Sequence, residues 1–333
     1  MTSNALPLHV AYGSVYLDWL LGNGDGSHPT NPIRAKLALE KLQERLGDQV
    51  VVVDPIPEGT AEADEQELAK VHTEAHIHAA LHNHVDPQWS GARPEMSQAG
   101  FAMFRGTVRL VDAIIDGRAK VAFNPQGAKH HAYADQSSGF CVFNDMAWAA
   151  LAFKEAGLKP LYLDWDIHAG DGVQAILEDT DIPTISIHNG QTFPMGTPTR
   201  DSSRTHERHE FNNPQKHFYN LNLLSGDGDQ QFMAAIDRAR EIIDKYKPDV
   251  ILLAAGADGH EVAGNLGDLN KITYAGFEYA ASMVASAAAT HSQGRVLIGG
   301  AGGYRPIDHT PEVWANVTSA CFLGQNRKRR NSI

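Results

Sequence analysis

The run LYLDWDIH, from Leu161 to His168, sets two carboxylates and an imidazole at every second position. In an extended strand that period puts Asp164, Asp166 and His168 on one face and Leu163, Trp165 and Ile167 on the other. Two carboxylates in a buried strand are costly unless a cation or hydrogen bonds compensate them. Aspartate with imidazole suits Zn2+, with Fe2+ or Co2+ as alternative occupants. A solvent-facing strand edge would also tolerate such a run, but the flanking residues read as buried. The next residues, Ala169-Gly170-Asp171-Gly172, make a tight turn into a helix and bring a further carboxylate to the same end.

Three other segments end in comparable chemistry. The run from Val250 to Ala257 leads into Asp258, and Arg295 to Ile298 leads into Gly299-Gly300-Ala301-Gly302-Gly303-Tyr304. Those glycines let backbone approach a ligand closely and deliver a phenol beside it. After Val121 to Phe123 come Lys129-His130-His131-Ala132 and then Ser138-Gly139-Phe140-Cys141. Singly, the paired histidines fit a structural role as well as a catalytic one, and a Gly-rich turn before tyrosine says little. Their coincidence says more, because ligands of open α/β sheets sit beyond the carboxyl ends of the strands, where all of these lie.

The elements that must position them are legible as alternation. Apolar runs rich in Val, Ile and Leu (VVVDP, VAFNP, LYLDWDIH, TISIH, VILLAAGAD, RVLIGGAGG) read as buried strands of a parallel sheet. Amphipathic stretches between them (NPIRAKLALEKLQERLG, FAMFRGTVRLVDAIIDG, DMAWAALAFKEAG, FMAAIDRAREIIDKY) read as helices, several closing on Gly or preceding Pro. The expected fold is α/β with three layers, a central, mainly parallel sheet and helices on both faces. Without a repeat, linker or composition break, one domain is expected over residues 1–333, with a short basic tail at 326–333 read as a frayed terminus. Residues Pro198 to Gln215 read as a surface loop.

Composition narrows the function classes. The 333 residues are 42% hydrophobic and 20% charged, and no apolar run approaches the ~18 residues of a membrane span. The N-terminus lacks the basic and apolar regions of a signal peptide, so cytoplasmic residence and no membrane partner are expected. Cys141 and Cys321 are too few for a disulfide framework or thiolate metal cage and fit a reducing compartment. A formal net charge of −12 argues against nucleic acid and mildly favours cationic substrates such as lysine-rich tails or polyamines.

The ordered set HPTNPIR (His28 to Arg34), KHHA, SGFCVFND (Ser138 to Asp145), DWDIHAGDG, SIH with Phe193-Pro194 after it, GAD and GGAGGY resembles the histone deacetylase superfamily over nearly the whole chain. This includes the acetoin-utilisation-type proteins and acetylpolyamine amidohydrolases. The resemblance implies a zinc-dependent amidohydrolase acting on acyl-lysine in proteins or on a small acylated amine. Asp166, His168 and Asp258 would bind the metal. His130 and His131 would form dyads with Asp164 and Asp171, partners that set tautomer and basicity. His131 would be the general base that takes a proton from the attacking water and returns it to the leaving amine, with His130 as electrostatic support. Tyr304 would donate to the carbonyl oxygen. Phe140 and Phe193 would wall an acyl-lysine tunnel, or else be ordinary core aromatics. Gly139 would offer a carbonyl to the substrate, Gly302 would line the substrate site, and Leu266 would take an apolar place at the rim. A structural K+ or Na+ near Asp164, Asp166, His168 and Ser186 is also implied.

The chain departs from this pattern in places. A DPLG-like turn is expected after GAD, but Glu261 to Gly267 reads EVAGNLG, which puts the tunnel rim in question. The lack of an acidic residue there leans toward acyl-lysine or a neutral amide. A Gly-rich loop gives way to Arg200 to Glu210, where His206 and His209 in HERHE fall one residue short of HExxH and read as polar loop. His260 is expected to support the site at most. Two other readings remain: a manganese ureohydrolase of the related arginase fold, whose two-metal runs are missing, and a catalytically silent acyl-lysine binding module, which would be expected to have lost a ligand, a histidine or Tyr304. The substrate, the acyl length and whether the chain forms a homo-oligomer stay open.

Overall fold

The computed structural model describes residues 6–22, 24–195, 210–213, 217–264, 266–267 and 269–330. Its strands are β1 (Leu8–Ala11), β2 (Val50–Val53), β3 (Val121–Asn124), β4 (Pro160–Asp164), β5 (Thr184–Asn189), β6 (Glu210–Asn213), β7 (Phe218–Leu223), β8 (Val250–Ala254) and β9 (Val296–Gly299). Its helices are α1 (Ile33–Leu46), α2 (Ala61–Leu68), α3 (Glu74–Ile77), α4 (Pro94–Ile115), α5 (Asp145–Glu155), α6 (Asp171–Leu177), α7 (Asp229–Tyr246), α8 (Tyr274–His291) and α9 (His309–Arg330). Among the described residues the strands form one sheet in the order β2-β1-β3-β9-β8-β4-β5-β7-β6, parallel except where β6 runs against β7.

Burial on both faces explains the apolar runs. In β8, Val250, Leu252 and Ala254 enter one core with α4 and α5, while Ile251 and Leu253 enter the other with α1, α7, α8 and α9. The three layers expected from the alternation of elements are therefore present. The four predicted helices are α1, α4, α5 and α7. No helix among the described residues is long and apolar enough to cross a membrane.

Several expectations need correction. The valines of β2 are not buried as a central strand would be: β2 ends the sheet, and Val51 and Val52 are exposed. The period-two strand does not run to His168 but stops at Asp164. Asp164 Oδ1 accepts the Asp166 amide at 2.9 Å, and Asp166 Oδ1 accepts the His168 amide at 2.9 Å. Each aspartate thus captures the N–H two residues on and bends the backbone away from the ladder. Within the supposed 198–215 loop, Glu210–Asn213 is strand β6, because β7 offers it a free edge. His206 and His209 lie outside the described residues. The tail is not frayed from residue 326: the backbone of α9 runs to Arg330, as suits good helix formers whose positive charges favour a helix carboxyl end.

The arrangement that matters for chemistry is the central quartet β3-β9-β8-β4. The segments carrying His130 and His131, Tyr304, Asp258, and Asp166 with His168 each leave the carboxyl end of one of these four strands.

Candidate active site

The turn after β3 is built around a buried carboxylate. Asp145, at the start of α5, accepts the amides of Ala128 at 3.0 Å and Lys129 at 2.8 Å, and the Thr107 hydroxyl at 2.7 Å. Those bonds fix the backbone that presents the histidine pair. Truncating Asp145 to alanine strands three buried donors, so Asp145→Ala is expected to lower stability by about 3–5 kcal/mol, read as a shift in urea midpoint. A loss below 1 kcal/mol would mean that the turn holds itself.

His130 Nδ1 lies 2.7 Å from Asp164 Oδ2, and His131 Nδ1 lies 2.7 Å from Asp171 Oδ1. With each Nδ1–H donated to its carboxylate, each Nε2 is left for the site. Both carboxylates have a second anchor that the sequence did not reveal. Tyr162 donates to Asp164 Oδ2 at 2.6 Å, and Tyr133 donates to Asp171 Oδ2 at 2.7 Å. The two imidazoles are 4.0 Å apart between centroids yet differ in proton affinity. Burial disfavours the charged form of His130, but Asp164 and Asp166 outweigh it and raise its pKa to about 9. Burial, with the neighbouring His130, depresses His131 to about 4 in spite of Asp171.

Asp166, His168 and Asp258 are buried, and their ligand atoms lie within 4.8 Å of one another. His168 Nδ1 stands 3.0 Å from Asp166 Oδ1 and 2.9 Å from Asp258 Oδ2, although one ring nitrogen carries at most one proton. Oxygens and nitrogen converging on one point fit a cation better than a hydrogen-bond network. Electrostatics agrees: burial and the Asp166 carboxylate push Asp258 up to about 6, a repulsion that a cation would relieve. Backbone amides hold both carboxylates, Gly302 on Asp166 Oδ2 at 2.6 Å and Ile167 on Asp258 Oδ1 at 3.1 Å. Gly302 has no alternative, because a Cβ there would stand 2.3 Å from Asp258 Oδ2 and 2.5 Å from Asp166 Oδ2.

The remaining predicted residues surround this group. The Tyr304 ring is 6.2 Å from that of His168, and burial, then Asp258 and Asp166, raise its phenol well above the ordinary value. It stays a donor at neutral pH. Phe193 packs edge-on against His131 at 5.0 Å, and Phe140 against His28 at 5.0 Å. Gly139 adopts a φ of +52°, and a Cβ would meet the His131 ring at 2.3 Å. Phe193 and Leu266 are exposed, as rim residues would be. Ser186 sits opposite Asp164 in the β4–β5 ladder. His260 turns away and packs on Tyr274, Phe277 and His309. Asp166 also lines a cavity of about 30 Å³ whose walls include His130, His131, Phe140, Tyr304, Arg34 and Lys129.

Comparison with known proteins places this arrangement in context. The histone deacetylase domain model matches residues 28–321. Acetoin utilization protein AcuC of Staphylococcus aureus (strain MRSA252) is 29% identical over 322 residues, covering 91% of this chain and 79% of that protein. The AcuC of Bacillus subtilis (strain 168) is 28% identical over 315 residues, covering 87% and 76%. A histone deacetylase-like amidohydrolase of Pseudomonas aeruginosa is 32% identical over 204 residues, 59% of this chain and 51% of that protein. The crystal structure of the HDA15 HD domain, 24% identical, superposes with a TM-score of 0.75 over 95% of this chain and 89% of that one, a likeness of fold. With the family match spanning most of its length, the chain belongs to the histone deacetylase family.

Proposed function

We propose that the chain is a zinc-dependent amidohydrolase that removes acetyl or related acyl groups from lysine side chains or small acylated amines. The observation that carries this reading is the convergence of Asp166, His168 and Asp258 beside two His-Asp dyads. Zn2+ held by those three residues, with Fe2+ or Co2+ as substitutes, would supply Lewis acidity to the carbonyl and to an attacking water. A K+ or Na+ near Asp164, Asp166, His168 and Ser186 would offset the carboxylate charge.

The chain's own groups do the rest. Phe140, Phe193 and Leu266 line the approach for an apolar stem. The Gly139 carbonyl, approached by the Cys141 thiol at 3.4 Å, keeps a second lone pair for a substrate N–H. His131, unprotonated at neutral pH, takes a proton from the attacking water at Nε2 and passes it to the leaving amine. His130, held protonated by Asp164 and Asp166, stabilises negative charge. Tyr304 donates its hydroxyl to the carbonyl oxygen as that oxygen gains charge. A ureohydrolase with paired manganese ions is disfavoured, since among the described residues a single three-ligand group converges. A silent binding module would have no use for two complete dyads. Both cysteines are free and buried, which suits a cytoplasmic enzyme.

The test is release of acid from acetyl-lysine peptides, acetylpolyamines and longer acyl-lysines, with Tyr304→Phe as the diagnostic variant. Loss of one oxyanion donor is expected to cut kcat about 10²- to 10³-fold, or roughly 2.7–4 kcal/mol, while KM and metal content change little. Near-normal turnover would remove Tyr304 from the chemistry, and lost metal would make its role structural. Failure of the unmodified enzyme on every acyl amine would overturn the reading.

A further inference from the structure

The turn that carries Phe140 is tight and unfavourable for its sequence. Ser138 and Cys141 exchange backbone bonds, the Ser138 amide donating to the Cys141 carbonyl at 3.0 Å and the Cys141 amide to the Ser138 carbonyl at 2.8 Å. Between them Gly139 and Phe140 both take a positive φ, +52° and +66°. Glycine adopts that region freely, whereas a bulky aromatic residue rarely does, so something outside the turn must hold Phe140 there. In a turn with two central residues the amide of the second has no partner within the turn. Gln88 supplies one. Its Oε1 accepts the Phe140 amide at 2.5 Å, and its Nε2 donates to the Cys141 carbonyl at 3.3 Å. One side-chain amide thus grips a donor and an acceptor of the turn.

Gln88 is itself held. Its backbone amide donates to Asp86 Oδ1 at 2.9 Å, and the same oxygen accepts the hydroxyl of Ser137, just before the turn, at 2.7 Å. The Trp89 ring packs edge-on against Trp19 with centroids 6.1 Å apart, and its Nε1 donates to the His84 carbonyl at 3.0 Å. Peptide geometry then carries the grip across to the site. The Gly139–Phe140 bond is trans, so its carbonyl and its N–H point in opposite directions. With the N–H fixed on Gln88, the Gly139 carbonyl is turned away from Gln88, in a turn whose glycine stands against the His131 ring.

We propose that Gln88 is a positioning residue that aims the Gly139 carbonyl at the substrate N–H and so gives the enzyme selectivity for acyl amides over esters. The substrate half of this statement rests on the deacylase reading above; the grip on the turn does not. An ester of the same shape has an oxygen where the amide has N–H, and would meet the Gly139 carbonyl with a lone pair against a lone pair.

The experiment compares cleavage of an acetyl-lysine peptide with that of its isosteric ester, in which oxygen replaces the side-chain N–H, by the unmodified enzyme, Gln88→Met and Gln88→Glu. In Gln88→Met the KM for the amide relative to the ester is expected to rise about three- to tenfold while kcat changes alike on both, because the lost contact is equal in ground and transition states. Gln88→Glu keeps an acceptor for the Phe140 amide and should keep most of the amide preference. A residue with only a structural role would shift both substrates together. Hydrogen exchange at the Phe140 amide is a second readout that needs no substrate, expected to be about tenfold or more faster in Gln88→Met than in the unmodified protein. A relative KM unchanged in Gln88→Met, a loss in Gln88→Glu as large as in Gln88→Met, or exchange indifferent to Gln88→Met would overturn the proposal. If neither substrate is cleaved while exchange at Phe140 still depends on Gln88, the grip stands and the deacylase reading falls, taking the aiming role with it.

Discussion

Asp258→Ala is expected to abolish amide hydrolysis, as is stripping the unmodified protein with a strong chelator, and Zn2+ or Co2+ should restore only the unmodified protein. The structure adds a sign that a purely structural aspartate would not give. Asp258 is pushed up to about 6 by burial and by Asp166, a repulsion that bound metal would relieve. A ligand bound only by the native state adds about 2.7 kcal/mol at one hundred times its dissociation constant, a gain that the variant lacking Asp258 should lose. Melting curves with and without added Zn2+ should show stabilisation in the unmodified protein and almost none in Asp258→Ala. Full activity of Asp258→Ala at trace metal would remove Asp166, His168 and Asp258 from the role proposed for them.

The second large effect separates the two histidines. His131→Ala should lower kcat about 10²- to 10⁴-fold, the usual worth of a positioned proton carrier, and His130→Ala should lower it less. The reason lies in their surroundings. His131 is kept neutral by burial and by its neighbour, so its Nε2 can accept a proton, whereas Asp164 and Asp166 hold His130 in the charged form. Turnover of an acetyl-lysine peptide, with circular dichroism to confirm folding, is the measurement. The reverse order would exchange their roles.

Much of this was legible in the sequence, for identifiable reasons. Buried parallel strands write themselves as apolar runs, and β3, β4, β5, β8 and β9 were each visible as one. Asp166 and His168 stood out because carboxylates in such a run need a partner, and Asp258 joined them as a ligand through the family resemblance. What escaped notice depends on tertiary neighbours. The Leu8–Ala11 strand is interrupted by His9, and the Phe218–Leu223 strand by Asn220 and Asn222, so neither reads as an apolar run. The phenols of Tyr133 and Tyr162 are ordinary until Asp171 and Asp164 stand opposite them. Lys129 precedes His130 with no pattern to mark it, and only the fold turns it into the wall of a cavity shared with Arg34.

The place of β9 has a consequence for how the chain is made. It is the last strand in sequence and yet lies between β3 and β8. Until residues 296–299 leave the ribosome, β3 and β8 each keep one open edge in the middle of the future sheet, apolar on both faces. Open parallel edges of that kind invite pairing with other chains, and closing them waits on contacts between segments far apart in sequence. A nascent chain ending before Val296 therefore holds most of the residues for the chemistry, lacks the strand that brings them together, and is expected to need protection from aggregation until that strand arrives.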